Sequence, residues 1–146
     1  MCVSLWSFLL ILTCNPFLSF KYIKTKQVVV HEGKILEKPV DADEARKFIR
    51  GYANAPASTV GAIAVTQLDT GKVEMEVDQA NIFFTAIPDD KIDYLIKEGE
   101  VFYCAGGLMV EHELVTPHVV KIEGTMDAVM GLPKALVLKL LSNFFD

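Results

Sequence analysis

The chain has 146 residues, 51% of them hydrophobic and 23% charged, with a net charge of −5 from 14 basic and 19 acidic side chains. That length suits one domain with a real core, and the composition excludes intrinsic disorder. The acidic balance argues against sequence-independent binding to nucleic acid, which needs a basic surface.

The first twenty residues, MCVSLWSFLLILTCNPFLSF, carry no charged side chain. A secretory signal would place a basic residue before the apolar run Leu5 to Thr13, and none is present. The stretch from Val3 to Phe20 touches the lower limit for a membrane span, but Asn15-Pro16 interrupts it. Three readings stay open: a weak membrane or signal segment, a buried strand or helix of the domain, or an atypical start in place of a different N-terminus. Residues 1–22 are therefore set apart from a domain over residues 23–146.

Gln27 to Val30 reads as a strand, Glu32-Gly33 as its turn and Lys34 to Leu36 as the return strand, stopped by Pro39. Asp41-Ala-Asp-Glu44 has capping-box spacing with an acid at the cap. Ala45, Phe48 and Ile49 then give an apolar face and Gly51 a stop, which predicts a short helix over about 42–50. Ser58 to Gln67 is β-branched and apolar, Asp69-Thr-Gly71 a turn, and Lys72 to Val77 an alternating partner strand. Asn81 to Ala86 reads as another strand. Pro88-Asp-Asp90 opens a helix with Ile92, Leu95 and Ile96 as its buried stripe and Gly99 as its end. Val119 to Ile122 is a further strand. Gly131-Leu-Pro133 leads into a last helix, Lys134 to Asn143, with Leu136, Val137, Leu140 and Leu141 on one side. Mixed strands and helices, with several antiparallel pairs, predict a single α+β or mixed α/β domain.

Cys2, Cys14 and Cys104 are odd in number and widely spaced, so free thiols in a reducing compartment are expected rather than a disulfide framework or zinc site. His31, His112 and His118 have no metal-binding spacing. A cation would be held by carboxylates and phosphate.

Three stretches could carry chemistry. In GKILEKP, Lys38 precedes a proline that fixes the backbone, so its ammonium can act as a point charge for phosphate; a solvated turn lysine is the plainer alternative. In CAGGLMVEH, two glycines allow close backbone approach, and Glu111 can accept both Watson–Crick N–H donors of guanine. Its plainer alternative is a glycine turn with a surface acid. GTMDAVMGLP is a loop feeding a helix N-terminus, a common anion setting, or simply a capped connector.

The blocks QVVVHEGKILEKPVDADEARKFI, FFTAIPDDKIDYLIKEGE, CAGGLMVEH and KIEGTMDAVMGLPKALVLKLL follow one another in the order of the Maf family of nucleoside-triphosphate pyrophosphatases, which the chain resembles from Gln27 to Leu141. The resemblance implies a mixed α/β fold (a mixed sheet with flanking helices, incomplete at its N-terminus here) and a cleft between two lobes. It implies hydrolysis of noncanonical or modified nucleoside triphosphates to monophosphate and pyrophosphate with a divalent cation, magnesium or manganese. It places the family's lysine on Lys38 and its two base-reading positions on Gln27 and Glu111. Glutamine at 27, Cys-Ala-Gly at 104–106 and glutamate at 111 match the subfamily acting on 7-methyl-GTP.

Two departures stand out. The family's Ser- and Arg-rich phosphate loop and acidic metal-binding segment have no counterpart in residues 1–20. The family's Ala-Asp before the glutamine is Thr25-Lys26 here, so Lys26 occupies the place of the catalytic aspartate. An ammonium neither takes a proton from water nor binds a cation. The expected reading is a pyrophosphatase acting on a small-molecule nucleotide in the cytoplasm, with an inactive binding or regulatory product as the alternative. No membrane or nucleic-acid partner is expected, and a homodimer is left open.

Overall fold

The computed structural model describes residues 9–14 and 19–144, with side chains described from Lys21 onward. Within these residues six strands form one sheet: β1 (Leu9–Cys14), β2 (Ser19–His31), β3 (Lys34–Leu36), β4 (Ala57–Gln67), β5 (Val73–Phe84) and β6 (Val119–Glu123). The order is β1-β2-β4-β5-β6, with β3 also on β2, and every pairing is antiparallel. Among the described residues four helices accompany it: α1 (Ala42–Gly51), α2 (Asp89–Glu98), α3 (Met126–Val129) and α4 (Lys134–Ser142).

The turn, the return strand and the first helix lie where the sequence puts them, but the strand before the turn is longer, since β2 begins at Ser19 rather than Gln27. Asp41 caps α1 by accepting from the Glu44 amide at 2.8 Å, and the Glu44 carboxylate accepts from the Val40 amide at 2.8 Å. The capping box is thus displaced outward by one residue at its return bond. Gly99 ends α2 at φ 89°, the left-handed conformation that favours glycine. Arg46 reaches Asp93 at 2.6 Å and Arg50 reaches Asp89 at 2.9 Å, tying α1 to α2.

Three expectations are corrected. The separate strands expected at 72–77 and 81–86 are one strand, because Asp78, Gln79 and Ala80 stay paired with Gly61, Val60 and Thr59. Cross-strand pairing there overrides weak local β propensity. Helix α3 and the 3₁₀ turns Glu100–Tyr103, Ala105–Gly107 and Thr116–His118 were not foreseen. Cys104 is fully buried and disulfide-bonded rather than a free thiol, and both other cysteines lie outside the described side chains. The apolar N-terminal stretch contributes β1, whose backbone pairs with β2 from Ser19 to Lys24. Among the described residues, no helix is long and apolar enough to cross a membrane.

One face of the sheet carries the core. Val29, Ile82 and Phe84 pack with Ala45 and Ile49 of α1 and with Ile92 and Leu95 of α2. Further along, Ile23, Ile63 and Val65 pack on Leu140 of α4, with Leu136, Val137 and Leu141 around them. Each fully buried aliphatic side chain stabilises the fold by about 1.5–3 kcal/mol relative to exposure. The other face leaves Val73, Met75 and Val77 exposed.

Candidate functional site

Strand β2 sorts its side chains by alternation. Thr25, Gln27, Val29 and His31 are buried on the helix-covered face, while Lys24 and Lys26 are exposed on the opposite one. Lys26 lies in a row with Ala62 and Val77. Gln27 is only 5% exposed, and its Nε2 donates to the Ala128 carbonyl at 2.8 Å. Gly131 sits against the other end of the same amide, since a Cβ there would be 3.1 Å from Gln27 Oε1. Its φ of 88° also demands glycine.

The loop over Gln27 is built from its own polar groups. Thr125 caps α3 by accepting from the Ala128 amide. The Asp127 carboxylate accepts from the Lys134 amide at 2.8 Å and from the Ala128 amide at 3.1 Å. Hydrogen bonds from the Thr125 hydroxyl and then the Lys134 amide hold its carboxyl below the usual carboxylate range.

Lys38 is exposed on the loop between β3 and α1, and its neighbours are clamped. The Gly106 amide donates to the Glu37 carbonyl at 2.8 Å, and a Cβ on Gly107 would lie 3.9 Å from Pro39. Both glycines have positive φ, 63° and 60°. A Cβ on Gly106 would run into the Tyr52 hydroxyl and come within 3.1 Å of Val29. Tyr52 is buried, and its hydroxyl donates to the Gly106 carbonyl at 2.6 Å. Burial pushes the phenol well above its ordinary pKa, so it stays a donor.

The structure thus joins the GKILEKP and CAGG stretches directly, and joins Gln27 to the GTMDAVMGLP loop. The two junctions adjoin, because Val29, in contact with the Gly106 position, follows Gln27 on the same face of β2, about 7 Å along. Beside them the outer edge of β2 lacks a strand partner from Thr25 to Val28 among the described residues, since β1 pairs up to Lys24 and β3 from Val29. Glu111 is exposed, on the loop following the buried Met109 and Val110.

One residue was missed by the sequence reading. Asp78 is half-buried on the face of Gln27, and the register runs Gln27–Gly61–Asp78 across three strands. The glycine between them leaves a notch, for a Cβ there would meet nothing closer than 3.9 Å. No local motif marks Asp78; only the pairing finds it. Among the described residues, no three His, Cys, Asp or Glu side chains gather as a metal group. Lys26, Gln27 and Lys38 supply no anionic ligand and Glu111 supplies one carboxylate alone, so this set does not fit a cation held by protein groups.

A family model described as Maf-like protein matches residues 22–144. The 7-methyl-GTP pyrophosphatase of Dictyostelium discoideum is 39% identical over 121 residues, which covers 83% of this chain and 60% of that protein. The dTTP/UTP pyrophosphatase of Chromobacterium violaceum is 33% identical over 124 residues, covering 80% and 57%. That of Hydrogenovibrio crunogenus is 30% identical over 121 residues, covering 82% and 62%. The chain therefore spans about 60% of the length of the curated relatives it matches.

Proposed function

The chain belongs to the Maf-like protein family, and on that premise we propose that it is a nucleoside-triphosphate pyrophosphatase. Its substrate is a modified or noncanonical nucleotide, 7-methyl-GTP foremost, which it cleaves to monophosphate and pyrophosphate in the cytoplasm. What carries this reading is the clamped junction of Glu37–Pro39 with Gly106–Gly107. That junction fixes the backbone on both sides of Lys38 and leaves the ammonium exposed as a point charge for a phosphate group. The similarity to a relative named 7-methyl-GTP pyrophosphatase supports the guanine preference.

In this reading Glu111 accepts the two adjacent N–H donors of the guanine edge, a bidentate match for one carboxylate. A methylated guanine is more cationic, which strengthens that pairing. Gln27 carries the base-proximal wall: its amide is fixed by Ala128 and Gly131, so it contributes a rigid surface. A divalent cation would neutralise triphosphate charge in this class of chemistry; no three His, Cys, Asp or Glu side chains gather among the described residues to hold it, and no step is assigned to it.

One observation favours a second reading, a protein that binds the nucleotide without hydrolysing it. Lys26 stands where the family carries its aspartate, and an ammonium cannot orient water as a base does. A pyrophosphate-release assay with 7-methyl-GTP, UTP and dTTP plus magnesium, run beside calorimetric binding of the same nucleotides, separates the two. Release that disappears in Lys38→Ala supports hydrolysis. Binding with no release on any of the three leaves the second reading standing.

A further inference from the structure

The β2–β3 hairpin and α1 enclose a cavity of about 590 Å³ that Gln27, Lys38 and Glu111 do not line. At its wall is His31, 8% exposed and about 13 Å along β2 from Gln27. Its Nδ1 lies 3.2 Å from the Pro56 carbonyl, which can only accept, so Nδ1 carries the proton. Nε2 has no hydrogen-bond partner among the described residues. It faces Gly51, whose missing side chain leaves it room: a Cβ there would be 3.0 Å away. Both His31 and Gly51 line the cavity.

The charges around it are uneven. Arg46 and Arg50 also line the cavity, but Asp43 and Asp93 pair with the first and Asp89 with the second. Lys34 and Lys47 are exposed at the rim and make no ion pair among the described residues, against one acid, Glu32. The ammonium groups of Lys34 and Lys47 are thus the cations at the rim that no acid holds among the described residues. Leu36 and Phe48 add an apolar wall.

We propose that this cavity binds a phosphate group, free or on a small organic molecule, between Lys34 and Lys47 with His31 at its floor. Phosphate suits the floor better than a carboxylate does. A hydrogen phosphate or dihydrogen phosphate, or the monoanion of a phosphate ester at or below about pH 6, keeps an O–H that can donate to Nε2 while its other oxygens accept from the lysines. A carboxylate is ionised at that pH and has no donor to offer. The inference is independent of the pyrophosphatase reading, because it concerns other residues and its test needs no turnover.

The test follows the His31 ring resonances by NMR while inorganic phosphate, phenyl phosphate or acetate is added at constant ionic strength and at about pH 6, where a phosphate ester keeps part of its O–H. His31→Gln identifies the signal. Saturable shifts are expected with inorganic phosphate, at least tenfold tighter binding with phenyl phosphate, and none with acetate. Equal binding of the two phosphates assigns the site to the free ion and removes the role of Leu36 and Phe48. The double variant Lys34→Glu/Lys47→Glu changes only exposed side chains and is expected to weaken phosphate binding at least tenfold with unchanged circular dichroism. No saturable shift, an equal response to acetate, or undiminished binding in the double variant overturns the proposal.

Discussion

Gln27 and Ala128 are 101 residues apart in sequence, yet the amide of the first donates to the carbonyl of the second at 2.8 Å in a buried setting. This bond pins the α3 loop to the middle of β2. Gln27→Leu keeps much of the volume and removes this donor, while the Gly131 amide still donates to the Ala128 carbonyl at 2.9 Å. The lost bond is therefore worth the net value of one hydrogen bond, about 0.5–1.5 kcal/mol. The expected outcome is a loss of that size in urea unfolding at an unchanged slope. Gln27→Glu should cost at least as much, since a carboxylate cannot donate.

Tyr52 and Gly106 form a second long-range lock, and their coupling can be measured. Tyr52→Phe removes the donor to the Gly106 carbonyl and should cost about 1–3 kcal/mol. Gly106→Ala should cost more, from left-handed strain of about 1–2 kcal/mol and from the collision with the Tyr52 hydroxyl. Removing that hydroxyl relieves the collision. Gly106→Ala is therefore expected to cost less in the Tyr52→Phe background, with a coupling of about 0.5–3 kcal/mol in a double-mutant cycle. Additive costs would show that the close approach carries no energy.

The element pattern was readable wherever local signals are strong. Asp41 and Gly51 mark the limits of α1, Pro88 and Gly99 those of α2, and the stripe at Leu136, Val137, Leu140 and Leu141 marks α4. The motif stretches were also visible, but not their junctions. Nothing local says that Gly106 meets Glu37, or that Gln27 meets Ala128, because those bonds are set by the sheet register and the packing of distant loops. Asp78 stayed hidden for the same reason: it joins Gln27 only through two strand pairings and the glycine between them. The break expected within β5 fell at Asp78 to Ala80, where propensity is weak and pairing decides.

Asp127 links pH to the loop over Gln27. Its folded pKa lies below the ordinary value of 3.8, through Thr125 and Lys134. A depressed carboxylate contributes stability that is present above its unfolded pKa and lost as pH falls through the folded one. Asp127→Ala should therefore be less stable than the parent at pH 7, by about 0.5–1.5 kcal/mol for the lost hydrogen bonds. The gap should close as pH drops below about 4. A gap that persists undiminished at pH 2 would assign the effect to packing rather than charge.

Glu111 tests the base preference. Glu111→Gln replaces a double acceptor by a group with one acceptor and one donor, which mismatches the guanine edge. Losing such a match should lower the ratio of kcat/KM for 7-methyl-GTP over UTP at least tenfold, about 1.4 kcal/mol. Its exposed position predicts little change in Tm. An unchanged ratio would remove Glu111 from base recognition.

Lys26 makes the sharpest test of activity. Its side chain is exposed, in a row with Ala62 and Val77 on the sheet face away from Gln27, and it has no ion pair among the described residues. Exchanging it should alter stability by no more than about 0.5 kcal/mol. Lys26→Asp restores the residue type that the resemblance places there, and a positioned base contributes about 10²–10⁴ in rate. A rise of that order in pyrophosphate release from 7-methyl-GTP, with nucleotide affinity changed far less, is expected where the triphosphate crosses the open edge of β2 at Thr25 to Val28 to reach the face of Lys26. An unchanged rate would mean that position 26 is not where water is activated in this chain. Asp78 then becomes the acid to remove: it shares the face of Gln27 and the notch at Gly61, and Asp78→Asn should abolish whatever turnover the parent shows.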